Sequence, residues 1–530
     1  MSEQMKDLVR LAASGKINRR AFVGRMGALG LSATTASTMF GIVAHAEGAP
    51  VMGGTLRAGV QGGQSTDSLD PALAASDVPF MINMTWGETL VELEPGGVLS
   101  MRVAEEVTSN ADATEWKFKI RQGVTFHNGA PVTAEDVVAT LKRHTDDKAQ
   151  SGAQGLVKGI AEMTAEGDTV TLKLAAANAD LPFLMADYHL IIQPGGGVDN
   201  PAAGIGCGAY MVKEFEPGVR CVMEKNPNYW DKTRGFADVV EVLSINDNTA
   251  RTAAITAGQI HMMTRVDPKI AEMLASAEGV VIERAAGPGH YVFIMHCDKA
   301  PFDNNDLRMA LKLSVKRAEM VEKILGGMGS MGNDFPINAA YPLFDETIPQ
   351  REFDAAKAAE HYKASGHDGS PIVLQVAPAA FPGAVDAANL FVASANEAGI
   401  PLTIKLEPDD GYWSNVWNVA PFCASYWGGR PVQDQMYSTA YLSTADWNDT
   451  KFVDANFDAL LVAARGELDP VKRKAQYSEM ANILRDTGGL ICPMFNDWVE
   501  GRRAEVGGWQ ANPAGTLMDG KALVKCWLNA

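Results

Sequence analysis

Residues 114–144, TEWKFKIRQGVTFHNGAPVTAEDVVATLKRH, carry the densest structural signal in the chain. Apolar residues alternate with charged ones over residues 116–121 (WKFKIR), which is the period-2 pattern of a strand with one buried face. Gly123 and the pair Asn128-Gly129 are turn signals, and they predict that the chain returns as a second strand at residues 124–127. The first half of the stretch therefore predicts two short strands, each followed by a turn.

The second half of the stretch predicts a capped, amphipathic helix. Thr133 and Asp136 have the spacing of a capping box, in which each residue satisfies a free backbone N–H of the other. Val137, Val138 and Leu141 then place apolar side chains on one face of the helix that follows. By physical chemistry alone the result is a strand, turn, strand, turn and helix without catalytic side chains.

Two motifs resemble a known family. The run GVTFHNGAPVTAEDVV at residues 123–138 is similar to the GVxFHDGxPVTAEDVV segment of solute-binding proteins that serve ABC importers of the peptide, nickel and opine type (extracellular solute-binding proteins, family 5). Asn128 stands where that family more often has Asp. Residues 208–230 fit a second pattern of the family, GxYxVxxFEPGxxxxxxxNPxYW. The resemblance covers most of residues 51–500 and weakens over the last 30.

The resemblance implies an α/β, two-lobed periplasmic-binding-protein fold, of the class with an extra inserted domain and a cleft that closes about a hinge. The implied boundaries are a signal peptide at 1–46, lobe I at 47–294 with the inserted domain at about 89–204, lobe II at 295–490, and a return to lobe I at 491–530. The hinge is expected near residues 290–300 and 488–496.

Composition agrees with a globular protein and argues against several partners. A chain of 530 residues is long enough for two or three domains, and its 46% apolar and 21% charged residues are typical of soluble folds. The formal charge of −18 argues against nucleic acid or an anionic membrane surface. Six cysteines show no zinc-finger spacing, so a metal-ribbon structure is unsupported, and both disulfides and free thiols remain open. A binding protein of the implied kind requires no metal and no cofactor.

The N-terminus resembles an export signal. Arg19-Arg20 lies in a twin-arginine-like motif, an Ala-, Gly- and Thr-rich apolar run follows, and Ala44-His45-Ala46 fits the small-x-small cleavage pattern. The alternative is a retained anchor helix, which the weak hydrophobicity of the run disfavours. The first cysteine is Cys207, so no lipid anchor is expected. We therefore expect a soluble periplasmic protein, exported by the twin-arginine route.

The most informative polar and aromatic stretch is residues 422–437, FCASYWGGRPVQDQMY. A strand followed by a Trp-Gly loop is what the resembled family uses in its ligand pocket. The candidate ligand-binding residues of this stretch are Tyr426, Trp427, Gly428, Gly429, Arg430 and Asp434. Arg430 stands where relatives commonly have an acidic residue for a peptide amino group, and its guanidinium suits a ligand carboxylate. Asp434 is left as a candidate for the amino group, and an ordinary surface salt bridge is the alternative role for Arg430.

Three further candidates come from other parts of the chain. Trp413 and Trp417 are spaced four apart, as on one helix face, where core packing is the more frequent reason and pocket lining the alternative. Trp417 is retained as a candidate ligand contact. Ser76 and Asp77 match first-lobe positions that contact ligand in relatives.

These observations predict a non-enzymatic binding protein. The chain has no HExxH, no GxSxG and no phosphate-binding Walker loop. We expect capture of a small peptide or peptide-like solute, bearing a carboxylate, by a monomer that delivers it to an ABC permease and ATPase complex at the inner membrane. The rival hypothesis is a secreted hydrolase acting on peptide-like substrates, because distant residues can assemble a catalytic site.

Overall fold

The computed structural model describes residues 50–74, 76–95, 97–146, 151–408, 412–445 and 447–529, with the side chains of Trp413 and Ser414 left out. The predicted signal segment, residues 1–46, lies outside the described residues. The strands of the described chain are β1 Thr55–Val60, β2 Val91–Glu94, β3 Val98–Met101, β4 Ala104–Ser109, β5 Glu115–Ile120, β6 Ile160–Glu166, β7 Thr169–Leu174, β8 Tyr210–Glu216, β9 Arg220–Lys225, β10 Val239–Ser244, β11 Met262–Met263, β12 Val280–Met295, β13 Gly329–Met331, β14 Ile372–Val376, β15 Leu402–Leu406, β16 Phe422–Trp427, β17 Leu490–Arg503, β18 Val506–Gly507 and β19 Trp527–Leu528.

Helices cover the faces of these sheets. Over the same residues they are α1 Asp77–Trp86, α2 Ala134–Thr145, α3 Gln154–Val157, α4 Leu181–Leu184, α5 Asn248–Thr256, α6 Pro268–Ala275, α7 Asn305–Leu313, α8 Arg317–Leu325, α9 Ala355–Ala364, α10 Ala384–Glu397, α11 Tyr412–Asn415, α12 Gln433–Ala440, α13 Ala455–Gly466, α14 Pro470–Thr487 and α15 Ala522–Lys525. Short 3₁₀ segments lie at Pro71–Leu73, Pro194–Gly197 and Pro378–Ala380, and a left-handed turn occupies Thr516–Asp519. No helix among the described residues is both long enough and apolar enough to cross a membrane.

One large mixed sheet runs through the molecule in the order β15-β14-β16-β12-β17-β11-β1-β10-β9-β8, with β13 attached to β17. The two long strands β12 and β17 belong to both halves of it. The first half of β12 pairs with the end of β17, and after a register shift between Ala286 and His290 its second half pairs with the start of β17 and with β16. This arrangement is the two-lobed fold expected from the sequence. We call the half with β1 and β8–β11 the first lobe and the half with β13–β16 the second lobe.

A separate four-stranded antiparallel sheet, β4-β5-β7-β6, is inserted between β3 and β8. Its strand β5 confirms the alternation predicted for residues 116–121, since Trp116, Phe118 and Ile120 are buried while the two lysines between them are exposed. These side chains pack against α2 through Val137 and Leu141 in one apolar cluster. The predicted amphipathic helix is therefore confirmed.

The capping box of α2 is also confirmed. The Asp136 backbone N–H donates to Thr133 Oγ1 at 3.3 Å, and the Thr133 backbone N–H donates to Asp136 Oδ2 at 2.9 Å. The other carboxylate oxygen of Asp136 accepts from Gly195 N at 2.7 Å. The same residue thus caps the helix and fastens the loop at residues 194–197 to it.

The second strand predicted at residues 124–127 is wrong. That segment makes a single bridge, between Thr125 and Pro131, around the Asn128-Gly129 turn. Both edges of β5 are already hydrogen-bonded, to β4 on one side and to β7 on the other, so no edge is left for a returning strand. Val124 and Phe126 instead send buried side chains into the core of the inserted domain.

All six cysteines lie within the described residues and are unbridged. Cys207, Cys221, Cys423, Cys492 and Cys526 are buried, and Cys297 is partly buried. The free-thiol alternative for these residues is therefore the one found.

Candidate ligand-binding site

A cavity of about 950 Å³ lies between the two lobes and the inserted domain. Its wall is assembled from the start of α1, from residues 174–189 of the inserted domain, from the loop and helix that follow β16, and from residues 512–519 near the C-terminus. Phe80, Tyr188 and Trp498 contribute aromatic surface to it. A cleft of this size with mixed apolar and polar walls suits a small organic molecule.

Arg430 lines this cavity. Its backbone N–H donates to the Tyr341 hydroxyl at 3.0 Å, Nη1 donates to the Gly429 carbonyl at 2.6 Å, and the guanidinium lies 5.7 Å from the centre of the Trp427 ring. No carboxylate among the described residues pairs with it, and burial lowers the pKa of its guanidinium. Most of its donors are therefore available to an anion in the cavity.

The two glycines before Arg430 bring backbone into the cavity wall. Gly429 has a φ of 80°, in the left-handed region, and a Cβ placed on it would lie 2.6 Å from the Pro288 Cβ. Any larger residue would push the loop away from the crossing point of the two lobes. Gly428 has no neighbour within 4 Å of its missing Cβ, so that side of the loop is open.

Asp434 also lines the cavity, but its carboxylate is occupied. Arg465 Nε donates to its two oxygens at 3.0 and 3.2 Å, and the same guanidinium donates to Ser438 Oγ at 2.6 Å. Burial raises the pKa of the Asp434 carboxyl, and Arg465 opposes that shift. The structure therefore places Asp434 in the wall as one member of an ion pair.

Ser76 and Asp77 lie in the cavity wall at the start of α1. The Ser76 hydroxyl donates to the Gly62 carbonyl at 2.6 Å, which fixes the loop after β1 against the helix. Asp77 accepts from Arg265 Nε and Nη2 at 2.7 and 3.2 Å. Both side chains thus have protein partners on the first lobe.

Three predicted residues lie outside the cavity wall. Trp427 and Trp417 donate their indole N–H groups to the same oxygen, Asp449 Oδ2, at 3.2 and 3.1 Å. Burial raises the pKa of the Asp449 carboxyl to about 7, against the two indole hydrogen bonds. Tyr426 is 50% exposed on β16, near the Arg265 guanidinium. Of the three, Trp427 contacts the loop that carries Arg430, because the Arg430 guanidinium lies beside its ring. The side chain of Trp413 is not among those described.

Asp519 is a wall residue that sequence reasoning missed. Its only local signal is the Asp519-Gly520 dipeptide, a common turn sequence. Among the described residues, no group of three or more His, Cys, Asp or Glu side chains is arranged to hold a metal ion.

Comparison with known proteins agrees with this architecture. The family model of bacterial extracellular solute-binding proteins, family 5, matches residues 98–449. The chain is 26% identical over 465 residues to the periplasmic murein peptide-binding protein MppA of Escherichia coli, covering 81% of this chain and 85% of that one. It is 25% identical over 470 residues to di/tripeptide-binding protein 3 of Pseudomonas aeruginosa, covering 80% and 86%.

A solved structure shares the fold. The ABC transporter substrate-binding protein CtaP of Listeria monocytogenes superposes with a TM-score of 0.78 at 20% identity, over 90% of this chain and all of that one. The family match spans more than half of the sequence. The structure has two lobes, an inserted domain and a cavity between them, as this family is expected to have. The chain belongs to the bacterial extracellular solute-binding proteins of family 5.

Proposed function

We propose that this protein is the periplasmic substrate-binding component of an ABC importer and that it captures a peptide or peptide-like solute bearing a carboxylate. The observation that carries the proposal is the Arg430 guanidinium, which lines the cavity and has no acidic partner among the described residues. A guanidinium in a partly enclosed site binds a carboxylate through paired, charge-assisted hydrogen bonds. The peptide-binding names of the relatives support the same class of ligand.

The proposed mechanism is capture followed by closure. The solute enters between the lobes, contacts both, and stabilises the arrangement in which they enclose it. Water leaves the cavity, which strengthens the contact between Arg430 and the ligand. The permease and ATPase complex at the inner membrane then accepts the closed form, and the protein acts as a monomer without a cofactor.

We further propose export by the twin-arginine route, on the basis of Arg19-Arg20 and the apolar run after it. Replacing both arginines with lysine should leave precursor in the cytoplasm, as seen by fractionation and blotting. Normal export of that variant would contradict the route but not the binding function.

The experiment that tests the function is a thermal-shift screen of residues 47–530 against dipeptides, tripeptides, opines and amino-acid derivatives. A ligand at a hundred times its dissociation constant adds about 2.7 kcal/mol to the free energy of unfolding, which appears as a raised midpoint. Binding without chemical change of the ligand supports the proposal. Formation of product from the bound solute, detected by mass spectrometry, would instead support the hydrolase hypothesis.

A further inference from the structure

The cavity continues past Arg430 along one side of α12. Four residues of this helix line it, and their spacing places them on one helix face: Asp434, Gln435, Ser438 and Thr439. Because an α-helix rises about 1.5 Å per residue, the face from Asp434 to Thr439 is about 7–8 Å long. An extended peptide needs about 3.3–3.6 Å per residue, so this part of the cavity has the length of about two residues.

The inserted domain forms the facing wall with apolar residues. Leu156 and Leu174 are partly exposed in this wall although they are apolar, and Ala175 and Ala176 are exposed. Ile160 pairs with Leu174 across β6 and β7, and the Ala175 backbone N–H donates to the carbonyl just before Ile160 at 2.9 Å. The two segments therefore lie side by side and present one continuous apolar surface to the cavity.

The two walls meet at the end of α13. A Cβ placed on Gly466 would lie 2.9 Å from the Ala177 Cβ, and Arg465 donates to Asp434 on α12. We call the space between α12 and the apolar surface of residues 156–177 the neutral crevice. The charged side chains that line it, Asp434 and Arg465, pair with each other and leave no open charge for a ligand.

Two glycines of the crevice have no conformational reason to be glycine. Gly155 and Gly159 line the cavity without a left-handed φ, and no atom beyond the neighbouring backbone lies within 4 Å of the position that a Cβ would occupy. Glycines with equally empty surroundings elsewhere, such as Gly258 and Gly399, have φ angles of 70° and 73°, which favour glycine. At residues 155 and 159 the missing side chain instead enlarges the crevice.

Gln435 gives the crevice an uncharged hydrogen-bonding group. Its side-chain oxygen is buried and accepts no hydrogen bond from the described part of the chain, although the residue lies in the cavity wall. Buried side-chain oxygens in proteins are nearly always hydrogen-bonded. A peptide N–H of a ligand in the crevice has the right chemistry to supply the missing donor.

We propose that the neutral crevice binds an uncharged, aliphatic part of the ligand, so that the protein selects solutes that are longer than a dipeptide and carry no charge on that extension. This inference rests on the proposed function and adds the size and the apolar character of the ligand. An aliphatic side chain gains free energy when it leaves water for a surface formed by Leu156, Ile160 and Leu174. A charged side chain would lose its hydration there without meeting an unpaired opposite charge.

The test uses three pools of tripeptides with free termini, built from Val, Leu and Ile, from Gly, Ser and Asn, and from Lys and Glu, together with dipeptides of Val, Leu and Ile. Native mass spectrometry and competition would give the relative affinity of residues 47–530 for each pool. The wild-type protein should prefer the aliphatic tripeptides to every other pool by about tenfold or more, as expected for burial of one large aliphatic side chain.

Gly155→Leu should abolish that preference, because the new side chain fills the crevice without meeting another part of the chain. Ala176→Leu fills the crevice from the neighbouring segment and should have the same effect. Neither variant should lower the melting midpoint of the ligand-free protein. Ala359→Leu adds the same side chain at an exposed position of α9, outside the cavity wall, and should keep the preference of wild type.

The outcomes separate this inference from the proposed function. Equal affinity of the wild-type protein for the three tripeptide pools would overturn the neutral crevice as a ligand site and leave the peptide function standing. A preference that survives in both leucine variants would do the same. If the wild-type protein binds none of the pools, the proposed peptide function itself fails, and this inference fails with it.

Discussion

Arg430 is held by contacts that leave most N–H donors of its guanidinium available to a ligand. One N–H of the guanidinium is bonded to the neighbouring carbonyl, the backbone N–H is bonded to Tyr341, and the Trp427 ring lies beside it. Trp427 is in turn fixed by Asp449. A side chain positioned in this way loses little further conformational freedom when it binds an anion, which favours affinity.

Arg430→Ala should therefore weaken binding of a carboxylate ligand by about 1.5 kcal/mol or more, a change of roughly tenfold in the dissociation constant. The measurement is isothermal titration with whichever solute the screen identifies. Arg57→Ala, which breaks the pair between Arg57 on β1 and Glu241 on β10, serves as the control because Arg57 lies outside the cavity wall. Equal affinities of wild type and Arg430→Ala would remove Arg430 from the site.

The sequence alone predicted Arg430 as a residue of the binding site but did not predict that Asp519 lines the cavity, and the difference has a physical reason. Arg430 follows a strand and two glycines, a local pattern that is typical of a binding loop. The position of Asp519 depends on Glu500, on buried packing of Leu517 and Met518, and on a left-handed turn. None of those contacts leaves a local pattern, and the partners of Asp434 and Asp77 are likewise distant in the chain.

At the scale of elements, local sequence predicted what local interactions determine. The alternation of β5 and the capping box of α2 each involve residues a few positions apart, and both are confirmed. The prediction of a second strand at residues 124–127 was wrong because strand pairing depends on competition between segments that are distant in the sequence. Here β4 and β7 occupy the edges of β5, and the turn residues alone gave no sign of that.

Between elements, a buried cluster of charges fastens the inserted domain to the first lobe. Arg102 Nη2 lies 2.8 Å from Glu88 Oε1, and Arg102 Nη1 lies 2.9 Å from Asp231 Oδ2. Burial opposes ionisation of Glu88, but Arg102 and nearby cations lower the pKa of that carboxyl to about 2. Because this pKa lies below the value of a free glutamate, the stabilisation is present above about pH 4.3 and is lost as the pH falls through about 2.

Arg102→Met should lower the free energy of unfolding by about 3–5 kcal/mol, because it leaves buried carboxylates without their cation. Urea denaturation followed by circular dichroism would show this as a lower midpoint. Arg220→Met breaks the exposed pair with Glu214 and should leave the midpoint almost unchanged. Similar midpoints for wild type and Arg102→Met would mean that packing, and not this cluster, joins the domain to the lobe.

At the scale of the whole molecule, the two lobes are connected through β12 and β17 and make further contacts across the cleft. The strand register changes between Ala286 and His290, where Gly287-Pro288-Gly289 interrupts the pairing with β17. We propose this crossing as the hinge, and the lobe and inserted-domain boundaries expected from the sequence stay a proposal with it. A break in pairing at two glycines is a point where backbone angles change at low cost.

The inserted domain also touches the second lobe directly. Asp180, just before α4, forms an ion pair with Arg473 on α14, and both side chains are buried. Beside this pair, the Ala179 backbone N–H donates to the Arg465 carbonyl at 2.6 Å. Burial raises the pKa of the Asp180 carboxyl, and Arg473 opposes that shift. We propose that this contact stabilises the closed arrangement of the protein, because it forms only while the inserted domain and the second lobe lie against each other.

Arg473→Met should shift the protein toward an open arrangement, since the bond that closure forms is lost while the ligand contacts remain. Ligand affinity should fall by about tenfold or more, which corresponds to about 1.4 kcal/mol of closure energy, and the loss should appear mainly as faster dissociation. Small-angle scattering of the ligand-free variant should give a larger radius of gyration than wild type. Lys472→Met, one residue away and exposed, removes a charge without touching the contact and should match wild type in both measurements. An unchanged radius together with unchanged dissociation would mean that Asp180 and Arg473 do not govern closure.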